Sequence, residues 1–334
     1  MSDEYLLPSQ PRKKHPVRVT MAVMFSVVLV AALVSAGYLW HLARTYDSGK
    51  QIIAGALPAG SPQKHADAMD SQNILLIGSD SRDPASGDAR SDTMMLVNIP
   101  GDRSGVYVMS IMRDTWVDIP GHGEHKINAA MALGGVSLTV ETVQNLFDLP
   151  IDHVVIIDFD GFQGLTEALG GVTLNNETAF QSEGADGEFF AAGPITVQGS
   201  SALKYVRERY AFADGDYQRV KNQQAFLSGV ISGVLTRETL TNPVKISDIV
   251  GRISPYLSVD EGLDARSAGA LAFSLRNVRS ADVHMFTLPN EGVGTSADGQ
   301  SIVLPDYAAI SEIGEALDTD NLAGYPGTGG TGNG

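Results

Sequence analysis

The chain has 334 residues, 43% of them hydrophobic, with a formal net charge of −16 and no cysteine. That length accommodates one large or two small domains with a sizeable core, and the missing cysteine excludes structural disulfides and thiolate chemistry. The first 50 residues carry six basic and three acidic side chains, so the other 284 hold −19, a charge that argues against a nonspecific nucleic-acid surface.

Residues 21–40 contain no charged side chain, and about twenty apolar residues span a hydrocarbon core. Arg12, Lys13, Lys14 and Arg18 precede this run, and Tyr38 and Trp40 close it as interfacial aromatics do. The positive-inside rule then predicts a cytoplasmic tail at 1–20, a single-pass anchor at 21–40 and an extracytoplasmic remainder. A cleaved signal peptide ending near Val34-Ser35-Ala36 is the competing reading, but the run exceeds a typical h-region of roughly 7–15 residues. Residues 41–70, rich in Ala, Gly, Ser and Pro, read as a linker.

The globular part is expected over 71–318. Residues 73–78 form a short continuous apolar run, as in a strand buried on both faces. Residues 93–98 and 105–111 read as further strands, joined by a turn at Pro100-Gly101-Asp102. Helical spacing predicts a helix over 136–147. A buried strand at 153–159, a helix at 161–169 and a short strand from Val172 follow. Residues 176–198 read as a long loop or small hairpin. Helices are expected at 200–206, 217–235, 264–275 and 307–317, a strand at 283–288, and a disordered Gly-rich tail at 319–334. Strands alternating with helices predict an α/β fold: a three-layer α/β/α sandwich around a mostly buried mixed sheet, plus the N-terminal transmembrane helix.

Arginines and aspartates cluster along this frame. They stand at Gly78-Ser79-Asp80-Ser81-Arg82, Arg90-Ser91-Asp92-Thr93, Arg113-Asp114-Thr115, Arg207-Glu208-Arg209 and Asp216-Tyr217-Gln218-Arg219, with Gln223-Gln224 following. Arginine forks match phosphate oxygens, and aspartates hold Mg²⁺ through hard oxygens. Asp80 and Asp92 adjoin strand-like runs, so both can sit at one sheet edge, where open α/β sheets bind ligands. Both are assigned to the metal, one assisting deprotonation of an acceptor hydroxyl. Arg82, Arg90, Arg113, Arg207, Arg209, Arg219 and Gln223 are assigned to a diphosphate. Lys126 reads equally as a phosphate contact or a solvated lysine. Asp216 reads as the partner of Arg219 or a helix cap. The bland alternatives are turn aspartates and ordinary salt bridges. Phe159, Phe162, Leu165, Leu169, Phe226, Val230 and Val234 read either as a lipid pocket or as plain core.

In this order, and with Lys126-Ile127-Asn128-Ala129, Gly134-Gly135, Asp158-Phe159 and Gly170-Gly171-Val172 in register, the motifs resemble the LytR-CpsA-Psr family of cell-wall glycopolymer ligases. The resemblance runs from about Asn73 to about Gln224. It implies a phosphotransferase that takes a glycopolymer from a polyprenyl-diphosphate carrier and attaches it to peptidoglycan by a phosphodiester. It also implies Mg²⁺, or Mn²⁺, on the diphosphate, Asp80, Asp92 and Arg113 as catalytic residues, and the carrier tail in an apolar pocket. Three other readings share some of these features: a transcriptional regulator, which the anchor and acidic charge oppose, a polyprenyl-phosphate-binding protein without turnover, and a carrier pyrophosphatase.

Overall fold

The computed structural model describes residues 16–79, 91–234 and 236–326. The chain divides into two compact units, Met1–Arg44 and Thr45–Gly334. Helix α1 (Pro16–Gly49) contains a stretch, Val28–Gly49, of mean hydropathy 1.3 that is long and apolar enough to cross a membrane. Val28, Leu29, Val30, Leu33, Val34, Leu39 and Trp40 are all exposed on it. Water is a costly solvent for such a surface, and a bilayer is the solvent that matches it.

The second unit runs β1 (Gln51–Ile53), β2 (Gln72–Ser79), β3 (Ser91–Ile99), β4 (Val106–Ile111), then a hairpin of β5 (Trp116–Ile119) and β6 (Gly123–Lys126). Next come α2 (Ala129–Phe147), β7 (His153–Asp158), α3 (Phe159–Ala168), β8 (Val172–Asn176), β9 (Phe180–Gln181), β10 (Phe189–Phe190), β11 (Gly193–Val197), α4 (Gly199–Arg207) and α5 (Asp216–Val234). The chain continues through α6 (Arg237–Thr241), α7 (Pro243–Ile253), β12 (Leu257–Asp260), α8 (Ala265–Ser274), β13 (Val283–Thr287), β14 (Asn290–Thr295), β15 (Ser301–Pro305) and α9 (Tyr307–Asp318).

Seven strands form one mixed sheet in the order β1-β12-β7-β2-β3-β4-β13. Side chains alternate between its faces with a period of two. Leu75, Ile77, Met94, Leu96, Met109, Val154 and Ile156 pack on one face beneath Val140 and Val143 of α2 and Ile310 and Ile313 of α9. Ile74, Met95, Val97 and Val108 face the other way, against Leu227 of α5 and Leu271 of α8. Helices on both faces of a mixed sheet make the expected α/β/α sandwich. Burial on both faces is why β2, β3, β4 and β7 read as continuous apolar runs. A smaller cluster joins Val172, Phe180, Phe190, Tyr205 and Phe226 where α4 and α5 meet β8 and its neighbours.

Several elements differ from the reading of the sequence. Helix α2 begins at Ala129, before the glycine pair. Gly134 and Gly135 then leave helical geometry (Gly135 at φ 69°), so the regular turns resume at Val136. The linker segment contributes Gln51–Ile53, which pairs parallel to β12 and is too short to show a period. The hairpins β5–β6 and β14–β15, strand β12 and helix α7 were not expected. Helix α7 has a clear start, with Asn242 accepting from the Val244 and Lys245 amides and Pro243 at the first position. It buries no residue fully, so its apolar pattern is faint. Residues 176–198 hold two short pairings, β9 with β10 and β11 with β8.

Candidate functional site

Four strand ends meet at one edge of the sheet. β2 and β7 are parallel and end together at Ser79 and Asp158, and antiparallel β3 begins there with Ser91 opposite Ser79. β4 runs antiparallel to β3 and ends at Ile111, two residues before Arg113. Asp92, Asp158 and Arg113 therefore gather at the strand termini, where open sheets place ligands.

A cavity of about 480 Å³ opens at this edge. Asp92, Arg113, Arg207, Arg209, Arg219 and Gln223 line its polar part, and Met95, Val155, Phe162, Leu203, Phe226 and Val230 are among its apolar walls. The order of these residues along α5 gives the cavity a direction. Arg219 and Gln223 lie in its first turns, then Phe226, Leu227 and Val230. At 1.5 Å per residue, Arg219 to Val230 spans about 16 Å. β3 repeats the order, with Asp92 at the edge and Met95 deeper.

Asp216, the first residue of α5, holds the arginines together. Its carboxylate lies 3.1 Å from Arg219 Nη2, 3.3 Å from Arg113 Nε and 3.6 Å from Arg209 Nη1. Arg113 Nη1 reaches Asp92 Oδ1 at 3.2 Å. Burial alone would raise the Asp216 carboxyl, but Arg219, Arg113 and Arg209 outweigh it and hold it below the usual carboxylate range. Burial likewise lowers Arg219, opposed by Asp216 and Asp92 and reinforced by Arg113 and Arg209. Arg219 is 5% exposed, and among the described residues its Nε has no hydrogen-bond partner. Arg219 thus has a donor to spare beyond its pairing with Asp216.

The depressed Asp216 carboxyl has a consequence for acid stability. Its folded value lies below its unfolded one, so the stability it contributes is present above the unfolded value near pH 3.9 and is lost as pH falls through the folded value. Asp216→Asn should therefore lose less stability than the wild type on acidification below about pH 4. Paired urea unfolding at pH 7 and pH 3 measures this, and equal losses would contradict it.

Glu208, between two of the arginines, is 6% exposed and among the described residues binds backbone rather than cations. Its Oε1 accepts from the amides of Arg209 (2.9 Å), Tyr210 (2.8 Å) and Ala211 (3.1 Å), and its Oε2 from the Glu183 amide (2.7 Å). It thus fixes the loop that carries Arg209, whose guanidinium also bonds and stacks on Tyr210. Arg207 stacks on Phe159, with Cζ 4.4 Å from the ring centroid.

The structure brings together Asp92, Arg113, Arg207, Arg209, Arg219 and Gln223. Asp80, Arg82 and Arg90 lie outside the described residues. Lys126 is not drawn into the cavity; it pairs with Asp114 at 3.1 Å, and Asp114 in turn lies 3.7 Å from Arg113 Nε. Gln223 donates to the carbonyl of Val206 at 3.3 Å and so also ties α5 to α4. Among the apolar candidates, Phe159, Phe162, Leu165, Phe226 and Val230 line the cavity, whereas Leu169 and Val234 do not. Leu203, Leu227 and Leu257 line it without a motif to mark them.

Fold and site together define an α/β protein with an arginine-rich cluster continuous with an apolar chamber. The chain belongs to the LytR_cpsA_psr family, whose model matches residues 43–319. It is 30% identical over 303 residues to the polyisoprenyl-teichoic acid–peptidoglycan teichoic acid transferase TagU of Enterococcus faecalis, a match covering 89% of this chain and 95% of that one. Among solved structures it is similar to Bacillus subtilis TagV, with a TM-score of 0.67 and 25% identity over 75% of this chain and 97% of the other. It is also similar to TagT bound to LI-WTA, with a TM-score of 0.60 and 28% identity over 79% and 98%.

Proposed function

We propose that this chain is a phosphotransferase that moves a cell-wall glycopolymer from a polyprenyl-diphosphate carrier to peptidoglycan, leaving a phosphodiester. The observation that carries this reading is one cavity in which four arginines adjoin an apolar chamber, the whole run from Arg219 to Val230 spanning about 16 Å. A diphosphate on an isoprenoid chain has that division of charge and apolar surface. The similarity to a transferase for polyisoprenyl-linked teichoic acid supports the substrate class. The apolar helix α1 supports a membrane location, with its N-terminus cytoplasmic and the enzyme domain outside, where a lipid delivers the diphosphate.

In the proposed step, a peptidoglycan hydroxyl oxygen bonds to the glycopolymer-proximal phosphorus. The bridging P–O bond breaks, polyprenyl phosphate departs, and the hydroxyl proton passes to Asp92 or Asp80. Arg113, Arg207, Arg209 and Arg219 stabilise charge on the phosphoryl and leaving oxygens. Among the described residues no group of three or more metal-binding side chains stands together. Mg²⁺ often binds through one or two carboxylates plus substrate phosphates, and Asp92, engaged through Oδ1 alone among the described residues, fits that mode. When bound there, Mg²⁺ or Mn²⁺ would neutralise the diphosphate.

Val230→Asp tests the chamber. A carboxylate among the apolar walls should raise KM for a long-chain carrier by about tenfold or more, the worth of about two buried methylenes. Activity on a tail-truncated diphosphate should be unchanged. Equal effects on both carriers would refute the assignment of the chamber to the tail.

A further inference from the structure

The cavity above uses one flank of α5. The other flank borders a second cavity, of about 730 Å³, which the proposed chemistry leaves without a role. All five residues of β13 line it, and among the described residues β13 is the last strand of the sheet, paired with β4 alone. The Leu288 amide donates to Ser110 O at 2.8 Å, which fixes the parity of that parallel ladder. Even-numbered residues of β13 therefore turn their backbone groups to β4, and Val283, Met285 and Thr287 turn theirs to the open side. An open strand edge is a template for an added strand.

The helix wall is polar and held in place. Gln224 Nε2 donates to Ser110 Oγ (3.0 Å) and Thr287 Oγ1 (3.2 Å), and Gln218 donates to Asn222 at 3.1 Å. Lys221 is exposed in this wall and forms no ion pair among the described residues. Among the described residues the wall has no free aromatic platform for a sugar ring: Tyr205 and Phe286 are buried, and His284 is stacked on Tyr107 with ring centroids 5.1 Å apart. Glu177 also lines the cavity, so backbone pairing groups, fixed amides and one charge of each sign suit a peptide that carries both a carboxylate and an amine.

We propose that this cavity binds a short extended peptide as an added strand along β13, its carboxylate on Lys221, and that the peptide is the one carried by the peptidoglycan acceptor. The acceptor's identity rests on the transferase reading above. Five strand residues span about 17 Å, the length of a four- or five-residue extended peptide. The placement also serves transfer. β13 runs parallel to β4, so Thr287 stands at the sheet end where Arg113 follows β4, and Gln218 and Lys221 flank Arg219 along α5. A peptide held here would bring its sugar beside the arginine cluster.

The test is a binding titration of the full-length protein in detergent micelles with three probes: a disaccharide carrying its peptide, the bare disaccharide, and polyprenyl diphosphate. The peptide-bearing probe should bind about tenfold tighter or more than the bare one. Lys221→Ala, which alters only an exposed side chain, should remove most of that difference. So should Met285→Pro, which is tolerated where an N–H points off a sheet edge. Equal affinities for the two disaccharides, preference for the bare one, binding of neither, or a difference that survives both substitutions would each overturn the proposal. Failure of the transferase reading would instead appear as wild-type protein that does not bind polyprenyl diphosphate, whereas both variants should bind it normally.

Discussion

Arg113→Ala is expected to slow transfer by about a thousandfold while leaving the protein folded. Among the described residues, Arg113 alone forms ion pairs with both acidic centres of the site, reaching Asp92 through Nη1 and Asp216 through Nε. A guanidinium directed at developing phosphoryl charge is worth about 10²–10³ in rate when a single donor is lost, and up to about 10⁵ for an arginine finger. The fold should survive because the side chain is partly exposed and the hydrophobic cores do not include it. Arg113→Lys should recover only part of the rate, since a point charge cannot bridge both carboxylates as the fork does. Asp92→Ala should be similarly inactive. Near-normal turnover in Arg113→Ala and Asp92→Ala, measured on protein with an unchanged circular dichroism spectrum, would remove the site assignment.

Gly229→Val is expected to cost both stability and rate, although it lies away from the arginines. A Cβ at Gly229 would stand 2.7 Å from the carbonyl oxygen of Thr173 and 2.8 Å from Val172 Cγ1. The first of these contacts is backbone, so α5 must move off β8. Overpacking of this kind costs about 1–3 kcal/mol. The same helix carries Arg219 and Gln223, and a misplacement of about 1 Å can cost about a hundredfold in rate. A midpoint shift in urea together with a fall in kcat is the expected pair of results. A destabilised variant with wild-type kcat would show that the arginines are positioned independently of the α5–β8 contact.

The parts of the fold that the sequence discloses are those whose burial is uniform. β2, β3, β4 and β7 are covered on both faces and appear as unbroken apolar runs, and α9 shows its apolar stripe because Ile310, Ile313 and Leu317 enter the core. β1, with three residues, and α7, with no fully buried residue, leave no comparable trace. At the site, the motifs mark which arginines converge but not what lies between them. Phosphate binding and salt bridging stand as alternatives in the sequence, whereas in the structure Arg113, Arg209 and Arg219 both share Asp216 and line a cavity with Arg207. Spacing cannot separate Phe226 and Val230, which border the cavity, from Val234, which does not, because one helical stripe contains them all. Lys126 falls in a motif, but its hairpin delivers it to Asp114.

The central claim is most directly tested by one reconstitution. Full-length protein in detergent is supplied with Mg²⁺, a polyprenyl-diphosphate-linked saccharide and peptidoglycan fragments, and the products are resolved by mass spectrometry. The expected products are a saccharide joined to peptidoglycan through a phosphodiester and polyprenyl phosphate released in equal amount. Saccharide phosphate released to water with no joined product, or bound carrier with no turnover, would contradict that claim.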